Sequence, residues 1–202
     1  MGVRIRRAGD GDRDLVVRLL DSAFMDDPVS GWVFPGAEYR RARHAGLMAA
    51  FTDATLAEGA GGYVDVLEDE SAVALWMDLP DEPHDAGEDD GPAQVRAAVD
   101  PDNERIERIA RLMEEAHPVG RAHTYLWMIG VVPERQGEGL GTALMTPVLE
   151  RCDRAGRPAY LEASSARSRA LYERLGFVAT GSVIQLPDGP VLWPMWREPQ
   201  GS

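Results

Sequence analysis

The sequence predicts a single α+β domain in which strands and helices alternate along the whole chain. Short apolar or alternating runs, which are typical of strands, are interleaved with longer runs whose apolar residues recur at helical spacing. One strong strand, Thr124–Val131, is followed directly by a glycine-rich segment and a helical pattern. No internal repeat or linker-like stretch divides the 202 residues, and an apolar share of 44% suffices for a core.

The first half of the chain predicts two helices, three strands and one long loop. The opening residues alternate apolar and basic side chains, as a half-buried strand does, and two aspartates then mark a helix start. Proline and glycine interrupt the pattern after that helix. The predicted elements, in order, are a strand at Val3–Ala8, a helix opened by Asp12 and Asp14, a loop at Asp26–Gly36, a helix at Ala37–Leu56, and paired strands at Tyr63–Leu67 and Ala72–Met77.

The second half starts with an acidic segment, residues 81–103, which is predicted to be a flexible insert. Its first part, Asp81–Gly91, is rich in acidic residues, glycine and proline and has no periodicity. Regular patterns then resume. The predicted elements are a helix at Glu104–Ala116, a strand at Thr124–Val131, a helix from Gly137 to about Arg154, a strand at Ala159–Ala163, a helix at Ser168–Leu175, and a hairpin of Val178–Leu186 with Val191–Trp196.

The charge and composition exclude several functional classes. A net charge of -13 argues against a nucleic-acid-binding surface, which needs clustered basic residues. All 21 basic residues are arginine, so a lysine-dependent phosphate loop or Schiff base is impossible. A single cysteine, Cys152, and the lack of a signal peptide or a long apolar run predict a cytoplasmic protein with no membrane partner. No metal site is predicted.

The segment Gln136–Gly141 is the strongest candidate for a ligand-binding site. Three glycines at alternate positions allow backbone amides to approach a ligand, and the helix that follows presents unpaired N–H groups. That arrangement binds phosphate without lysine. A dinucleotide fingerprint would need glycine where Thr142 stands, so that motif is excluded. A glycine-rich turn without a ligand remains the alternative.

Two motifs in this order resemble the GNAT acetyltransferase superfamily. Gln136-x-x-Gly139-x-Gly141 after an apolar strand resembles the coenzyme A loop of that family. The stretches Tyr160–Ser164 and Leu171–Phe177 resemble the second half of its signature. The clear resemblance covers about Ala122 to Arg197. It implies a mixed, mostly antiparallel sheet of about seven strands, flanked by helices and splayed where the coenzyme binds.

A narrower likeness is to puromycin-type N-acetyltransferases of actinobacteria. It is carried by His117–Pro133, by Leu161 with Glu162, by Leu171–Phe177, and by the Pro-Asp-Gly-Pro turn before Trp193. This likeness implies that the acceptor is a primary amine of a small molecule. In the family the amine attacks the thioester of acetyl-coenzyme A directly, in a ternary complex.

The resemblance also implies which residues hold acetyl-coenzyme A. Backbone groups of the strand before the glycine loop contact the pantetheine and the acyl carbonyl, and loop amides hold the pyrophosphate. Serines stand where relatives often carry asparagine, so Arg167 or Arg169 could take over contacts there. The predicted coenzyme-binding residues are Ile129, Val131, Arg135, Gln136, Gly137, Gly139, Gly141, Thr142, Ser165 and Ser168.

Three residues are candidates for proton transfer. Tyr172 matches the family's general acid, which protonates the departing thiolate; the alternative is an aromatic side chain that only packs. Many relatives carry a glutamate base where this chain has Tyr125. Glu162 is the first substitute, since a carboxylate within an apolar strand must be paired or in use. An ion pair with arginine is the alternative, His123 is the second candidate, and a water relay could replace both.

The acceptor site is less defined by the sequence. His117, Trp32, Trp127 and Trp193 are candidates to line it, with packing as the alternative for each. Cys152 is expected in the core, since the direct mechanism needs no covalent nucleophile. Two other functions stay open: a non-catalytic acyl-coenzyme A-binding module, and a protein or peptide N-acetyltransferase. A homodimer is also open.

Overall fold

The computed structural model describes residues 3–57, 59–81 and 90–201. The helices and strands of these residues are β1 (Ile5–Arg7), α1 (Arg13–Phe24), α2 (Pro28–Val33), α3 (Ala37–Leu56), β2 (Gly62–Leu67), β3 (Ala72–Leu79), α4 (Gly91–Val99), α5 (Glu104–Ala116), β4 (His123–Val131), α6 (Leu140–Ala155), β5 (Ala159–Ala163), α7 (Ala166–Arg174), β6 (Val178–Ala179), β7 (Ile184–Gln185) and β8 (Val191–Arg197).

One central sheet organises these elements. Its strands follow the order β1-β2-β3-β4-β5-β8-β6, and the short β7 pairs with the beginning of β8. Every neighbouring pair is antiparallel except β4 with β5, which is parallel. Helices cover both faces of the sheet, with one apolar cluster on each. The predicted α+β domain with a mixed, mostly antiparallel sheet is therefore confirmed.

The sheet opens between β4 and β5. These strands pair only where Thr124–Leu126 lies beside Ala159–Leu161, and the rest of β4 has a partner only on the β3 side. The Val132 N–H donates to the Ser71 carbonyl on the β3 side at 2.9 Å. Because backbone groups alternate in direction along a strand, those of Ile129 and Val131 point toward the opening. The strand order thus leaves a row of main-chain donors and acceptors without a strand partner.

A bulge in β4 sets which side chains face each side of the sheet. The register shifts between Leu75 and Trp76, so that Trp76 pairs with Leu126 and Leu75 with Met128. Trp127 is therefore the extra residue. Beyond it, the alternation of β4 side chains between the two sides of the sheet is shifted by one residue. Tyr125 and Met128 consequently lie on the same side of the sheet as α1, α3 and α5, whereas Leu126 faces α6 and α7.

Two short helices occupy segments that the sequence patterns predict to be irregular. Helix α2 lies inside the predicted loop Asp26–Gly36, and α4 lies inside the predicted insert 81–103. Each starts with the same signal, an aspartate whose carboxylate accepts a backbone N–H and a proline in the first turn. The helices are too short to show apolar periodicity, which explains why the pattern missed them. Residues 82–89 of the predicted insert lie outside the described part of the chain.

Two other boundaries differ from the prediction. Helix α6 begins at Leu140 rather than Gly137, because Gly137 and Gly139 have φ values of 90° and 82°, which a right-handed helix excludes. The predicted strand Val178–Leu186 is divided into β6 and β7, with Gly181 at φ 95° in the bend between them. In the part of the chain that the structure describes, no helix is long and apolar enough to cross a membrane.

Candidate active site

The glycine loop joins β4 to α6 and presents backbone amides. Because Gly139 adopts a left-handed conformation, α6 begins abruptly at Leu140, and its first internal bond runs from the Ala143 N–H to the Gly139 carbonyl at 3.0 Å. The N–H groups of Leu140, Gly141 and Thr142 therefore have no acceptor within the helix. A Cβ built on Gly139 would meet no atom within 4 Å, so the space beside the loop is open. This helix end suits an anion.

Two arginines lie near the loop, and they differ in whether acidic side chains compensate their charge. Arg135 donates to Glu138 at 2.7 Å and to Asp69 at 3.2 Å, so its charge is already compensated. The Nη2 of Arg167 lies 3.7 Å from the Cβ position of Gly137, and within the described ranges Arg167 forms no ion pair. Arg167 is therefore better suited than Arg135 to contact a phosphate at this loop.

Gln136 and Gly141, both predicted coenzyme ligands, have visible local roles. The Gln136 side-chain amide donates to the Val131 carbonyl at 3.2 Å, which fixes the turn after β4. A Cβ on Gly141 would lie 3.7 Å from Leu171 and 3.9 Å from Ile129, which are ordinary contact distances, so Gly141 lies where α6 faces α7 and β4. Neither contact excludes a ligand on the backbone amide of the same residue.

Ser165 and Ser168 form the N-terminal cap of α7. The Ser165 hydroxyl accepts the Ser168 N–H at 3.1 Å, and the Ser168 hydroxyl accepts the Ser165 N–H at 3.2 Å. This reciprocal pair is a capping box. Both hydroxyls are thus occupied by the helix start, and their predicted contact with the coenzyme stays a prediction.

Glu162 is the most deeply buried carboxylate of the site. Its side chain is 2% exposed, its Oε2 accepts from the Tyr125 hydroxyl at 2.8 Å, and its Oε1 has no hydrogen-bond partner among the described residues. The alternative of an ion pair with arginine is not observed among the described residues; the His117 imidazole lies beside the carboxylate, with Nδ1 at 3.9 Å from Oε1. Burial raises the pKa of Glu162 to about 7, a value suited to accepting a proton near neutrality.

The register of β4 and β5 explains the contact between Tyr125 and Glu162. Tyr125 pairs with Tyr160, and alternation along β5 places Glu162 on the same face, two residues further on. The carboxylate comes from β5, and the Tyr125 hydroxyl on the neighbouring strand donates a hydrogen bond to it. The Tyr160 hydroxyl is also buried and has no hydrogen-bond partner in the described residues.

Two histidines extend this cluster. His123, at the start of β4, is buried; its Nδ1 lies 2.8 Å from the Arg121 carbonyl and its Nε2 lies 3.0 Å from Nε2 of His117. The His117 ring lies against Tyr125 and Tyr160, with centroid distances of 4.8 and 4.9 Å. Burial lowers the pKa of both imidazoles, that of His117 to about 4, so both are neutral at pH 7. No pattern in the sequence indicates that these histidines pair.

Tyr172 is packed in the core, and its role as a general acid stays a prediction. Its ring packs edge-on against Phe177 at a centroid distance of 6.1 Å, and the residue is 6% exposed. Burial and the negative charge of Asp27 raise the pKa of its hydroxyl well above 10. Asp27, which the sequence patterns did not single out, caps α2 and accepts the Ser164 hydroxyl at 3.0 Å.

The three candidate tryptophans are in packing environments. The Trp32 indole donates to the Pro187 carbonyl at 2.8 Å and lies against Gly189, so it anchors the β7–β8 turn. Trp127 lies 4.8 Å from the Phe51 ring, and Trp193 lies under the Arg169 guanidinium. Cys152 is buried in the α6 cluster, as expected. Of the four candidates for the acceptor pocket, His117 alone contacts the Glu162 cluster in the described residues.

Comparisons with known proteins agree with this geometry. The sequence model of the acetyltransferase (GNAT) family matches residues 34–177, which is more than half of the chain. An uncharacterized N-acetyltransferase of Schizosaccharomyces pombe is 38% identical over 78 residues, which cover 38% of this chain and 32% of that protein. A mycothiol acetyltransferase of Streptomyces coelicolor is 41% identical over 56 residues, which cover 26% of this chain and 18% of that protein. The matches span a third or less of these curated relatives.

The whole fold also has a close counterpart among solved structures. A crystal structure described as histone acetyltransferase HPA2 and related acetyltransferase, from Corynebacterium glutamicum, has a TM-score of 0.70 and 25% identity, covering 100% of this chain and 99% of that chain. The family match includes β4, the glycine loop, Glu162 and Tyr172. The chain therefore belongs to the GNAT acetyltransferase family, whose members use acyl-coenzyme A.

Proposed function

We propose that this protein transfers the acetyl group of acetyl-coenzyme A to a primary amine of a small molecule, by direct attack in a ternary complex. The observation that carries the proposal is Glu162: a buried carboxylate with an unpaired Oε1, on the strand that borders the opening in the sheet. Membership of the family supports the reaction type. A buried carboxylate without a cationic partner supports a role in proton transfer.

The chain's own groups fit the coenzyme. The amides at the start of α6 and the Arg167 guanidinium would hold the pyrophosphate, and the open edge of β4 at Ile129 and Val131 would hold the pantetheine. When bound, acetyl-coenzyme A supplies a thioester carbonyl that an amine can attack. A β4 backbone N–H directed into the opening can donate to the oxygen on which negative charge develops.

Glu162 and Tyr172 divide the proton chemistry between them. Glu162, with its pKa raised to about 7, takes a proton from the attacking amine. Tyr172 stays protonated at neutral pH because its pKa is raised. Its hydroxyl therefore stabilises the departing thiolate by donating a hydrogen bond, and because a thiol has a pKa of about 8.5, solvent can complete the protonation.

Several features support a small acceptor. Glu162 is enclosed by His117, Tyr125 and Tyr160, which leaves little room around its carboxylate. The sequence resembles puromycin-type acetyltransferases, and the Streptomyces coelicolor relative is named for mycothiol, not for a protein. The most specific form of the proposal is that the acceptor amine belongs to an antibiotic. A cytoplasmic location stays a prediction from the single cysteine.

Thiol release from acetyl-coenzyme A, measured with a mixed acceptor panel, tests the proposal. The panel contains small primary amines, puromycin among them, together with lysine peptides and peptides with a free N-terminus. We expect turnover with small amines and a rate about 100-fold lower in Glu162→Gln. Faster turnover with peptides would favour a protein acetyltransferase. Calorimetric binding of acetyl-coenzyme A without turnover of any acceptor would favour a non-catalytic module.

A further inference from the structure

His117 separates Glu162 from solvent. The His117 side chain is 21% exposed, whereas that of Glu162 is 2% exposed, and Nδ1 of His117 lies 3.9 Å from the unpaired Oε1 of Glu162. The other neighbours of this carboxylate are the aromatic side chains of Tyr125 and Tyr160. Among the described residues that surround Glu162, His117 is thus the one that both carries a basic ring nitrogen and reaches water.

The hydrogen bonds of the two histidines fix the tautomer of His117. The Arg121 carbonyl can only accept, so Nδ1 of His123, 2.8 Å away, must carry a proton. Neutral His123 then has its lone pair on Nε2, and Nε2 of His117, 3.0 Å from it, must be the donor. The remaining ring nitrogen of His117, Nδ1, is left with a lone pair directed at the Glu162 side.

The proposed reaction requires an exit for one proton. An acceptor amine with an ordinary pKa arrives as an ammonium ion, and its product is a neutral amide. The coenzyme thiol keeps one of the protons, so each turnover releases one proton to solvent. Glu162 takes that proton first, but the enclosed carboxylate must lose it before the next cycle.

We propose that His117, held in one tautomer by His123, accepts the proton from Glu162 and passes it to solvent. This inference rests on the proposed function, because it assigns the second step of proton removal at the same site. The proton moves from the Glu162 carboxylic acid to Nδ1 of His117 and leaves to water from that same nitrogen, because Nε2 keeps its proton in the bond to His123; both side chains then return to their starting states. His117 is therefore a relay residue that acts through Glu162.

The groups around His117 disfavour its positively charged form. It faces Tyr125 and His123 from β4 and Tyr160 and Glu162 from β5. Burial and His123 lower the pKa of His117 to about 4, so the imidazolium forms only while a proton passes. Burial, assisted by the positive charges of Arg157 and Arg121, lowers the pKa of His123 and keeps that ring neutral as well.

The tautomer can be tested without any acceptor. Nitrogen-15 spectra of the histidine side chains in wild type should show His117 protonated on Nε2 and unprotonated on Nδ1 at pH 7. His123→Phe removes the acceptor of that bond, and His117 should then populate both tautomers. Protonation of Nδ1 in wild type would overturn the proposal, whatever the acceptor proves to be.

Kinetics test the relay itself. His117→Gln keeps an amide donor toward His123 but removes the proton acceptor, so kcat should fall at least about tenfold with KM within about twofold. In His117→Ala, added imidazole should restore rate, whereas it should not do so in Glu162→Gln. Val119→Ala, in the exposed loop between the histidines, serves as the unchanged control.

The outcomes separate the two proposals. Wild-type kcat in both His117 variants, or no response of His117→Ala to imidazole, overturns the relay while acetyl transfer by the wild type stands. If wild type acetylates no amine, the proposed function fails, and the relay fails with it as a step of that reaction. The tautomer measurement still decides how the histidines pair.

Discussion

Glu162 shows how burial gives a single carboxyl group a function. In an apolar strand a carboxylate loses its hydration, and here one tyrosine hydroxyl replaces only part of it. The result is a pKa raised to about 7 by burial, with the hydrogen bond from the Tyr125 hydroxyl opposing that rise. A pattern of residue types can identify such a carboxylate as unusual. It cannot identify the partner, because Tyr125 is 37 residues away and becomes adjacent only through strand pairing.

Substituting Glu162 with glutamine should make stability less dependent on pH. The pKa of Glu162 is raised from 4.5 in the unfolded chain to about 7 in the folded state. The folded state therefore binds the proton more tightly, and the wild type loses stability as pH rises through this window. The side chain of Glu162→Gln is neutral throughout. The free energy of unfolding of this variant should therefore rise relative to that of wild type by up to about 3 kcal/mol between pH 4.5 and 7.

Urea unfolding of both proteins at pH 5 and pH 8 measures this difference. Asp153→Asn is a suitable comparison, because the Arg197 side chain lowers the pKa of that carboxyl below 3.8, so its contribution is present at both pH values and its stability difference from wild type should stay constant. A constant stability gap between Glu162→Gln and wild type at the two pH values would contradict the raised pKa.

The Tyr172 hydroxyl should matter for rate and little for folding. Tyr172→Phe keeps the edge-on contact with Phe177 and removes a hydroxyl that makes no hydrogen bond within the described residues. We expect kcat to fall about 100-fold, with a melting temperature close to that of wild type. Steady-state kinetics test the expected fall in kcat, and thermal unfolding tests the expected melting temperature. A wild-type rate would leave solvent as the sole proton donor to the thiolate.

Helix α6 carries a matched pair of glycines at its two ends. Gly139 and Gly156 both have positive φ, at 82° and 62°, and a Cβ on either would meet no atom within 4 Å. Substitution by valine should therefore strain both ends to a similar degree. Gly139→Val should abolish binding of coenzyme A while Gly156→Val keeps it, as measured by calorimetry on folded protein. Equal affinities in the two variants would rule out the α6 start as the phosphate site.

The two arginines of the loop should differ in their effect on coenzyme affinity. Arg167 approaches Gly137 and forms no ion pair in the described part of the chain, whereas Arg135 is held by Glu138 and Asp69. Arg167→Gln should weaken coenzyme A binding about tenfold, a loss of about 1.4 kcal/mol, and Arg135→Gln should weaken it less. Titrations at two salt concentrations test the comparison, and the reverse order would contradict it.

Elements differed in how well the sequence predicted them. The amphipathic helices α1 and α5 follow from periodicity, because their apolar residues repeat over several turns, and β4 follows from its run of aromatic and apolar residues. Helices α2 and α4 depend on a single cap, Asp27 or Asp90, followed by proline. The mixed sheet and its opening at the coenzyme site were predicted from the family resemblance, whereas the strand order was not predicted, since pairing between distant strands leaves no local pattern.

At the scale of the whole molecule, the net charge of -13 should favour cationic acceptors. The coenzyme is an anion, so its site must depend on local amides and Arg167, whereas a cationic amine is attracted by the overall field. Exposed charges are screened beyond about 8 Å at physiological salt. Small cationic amines should therefore have a higher kcat/KM than uncharged amines of similar size at low salt, and the advantage should shrink at high salt.

A comparison of the two amine sets at low and high ionic strength checks this expectation. Part of the acidic segment, residues 82–89, lies outside the described structure, so the prediction concerns the net field and not that segment alone. Equal kcat/KM values for charged and uncharged amines, with no effect of salt, would show that the acidic balance serves solubility only.

The opening between β4 and β5 also links the protein's lifetime to metabolism. A strand edge without a partner is a template for unwanted association with other chains, and a ligand that binds only the folded state stabilises it by mass action. If acetyl-coenzyme A binds along this edge, it takes the place of a pairing strand for the backbone groups of Ile129 and Val131. The abundance of the enzyme in a cell would then follow the supply of its own acetyl donor, since starvation for acetyl groups exposes the edge to aggregation and proteolysis.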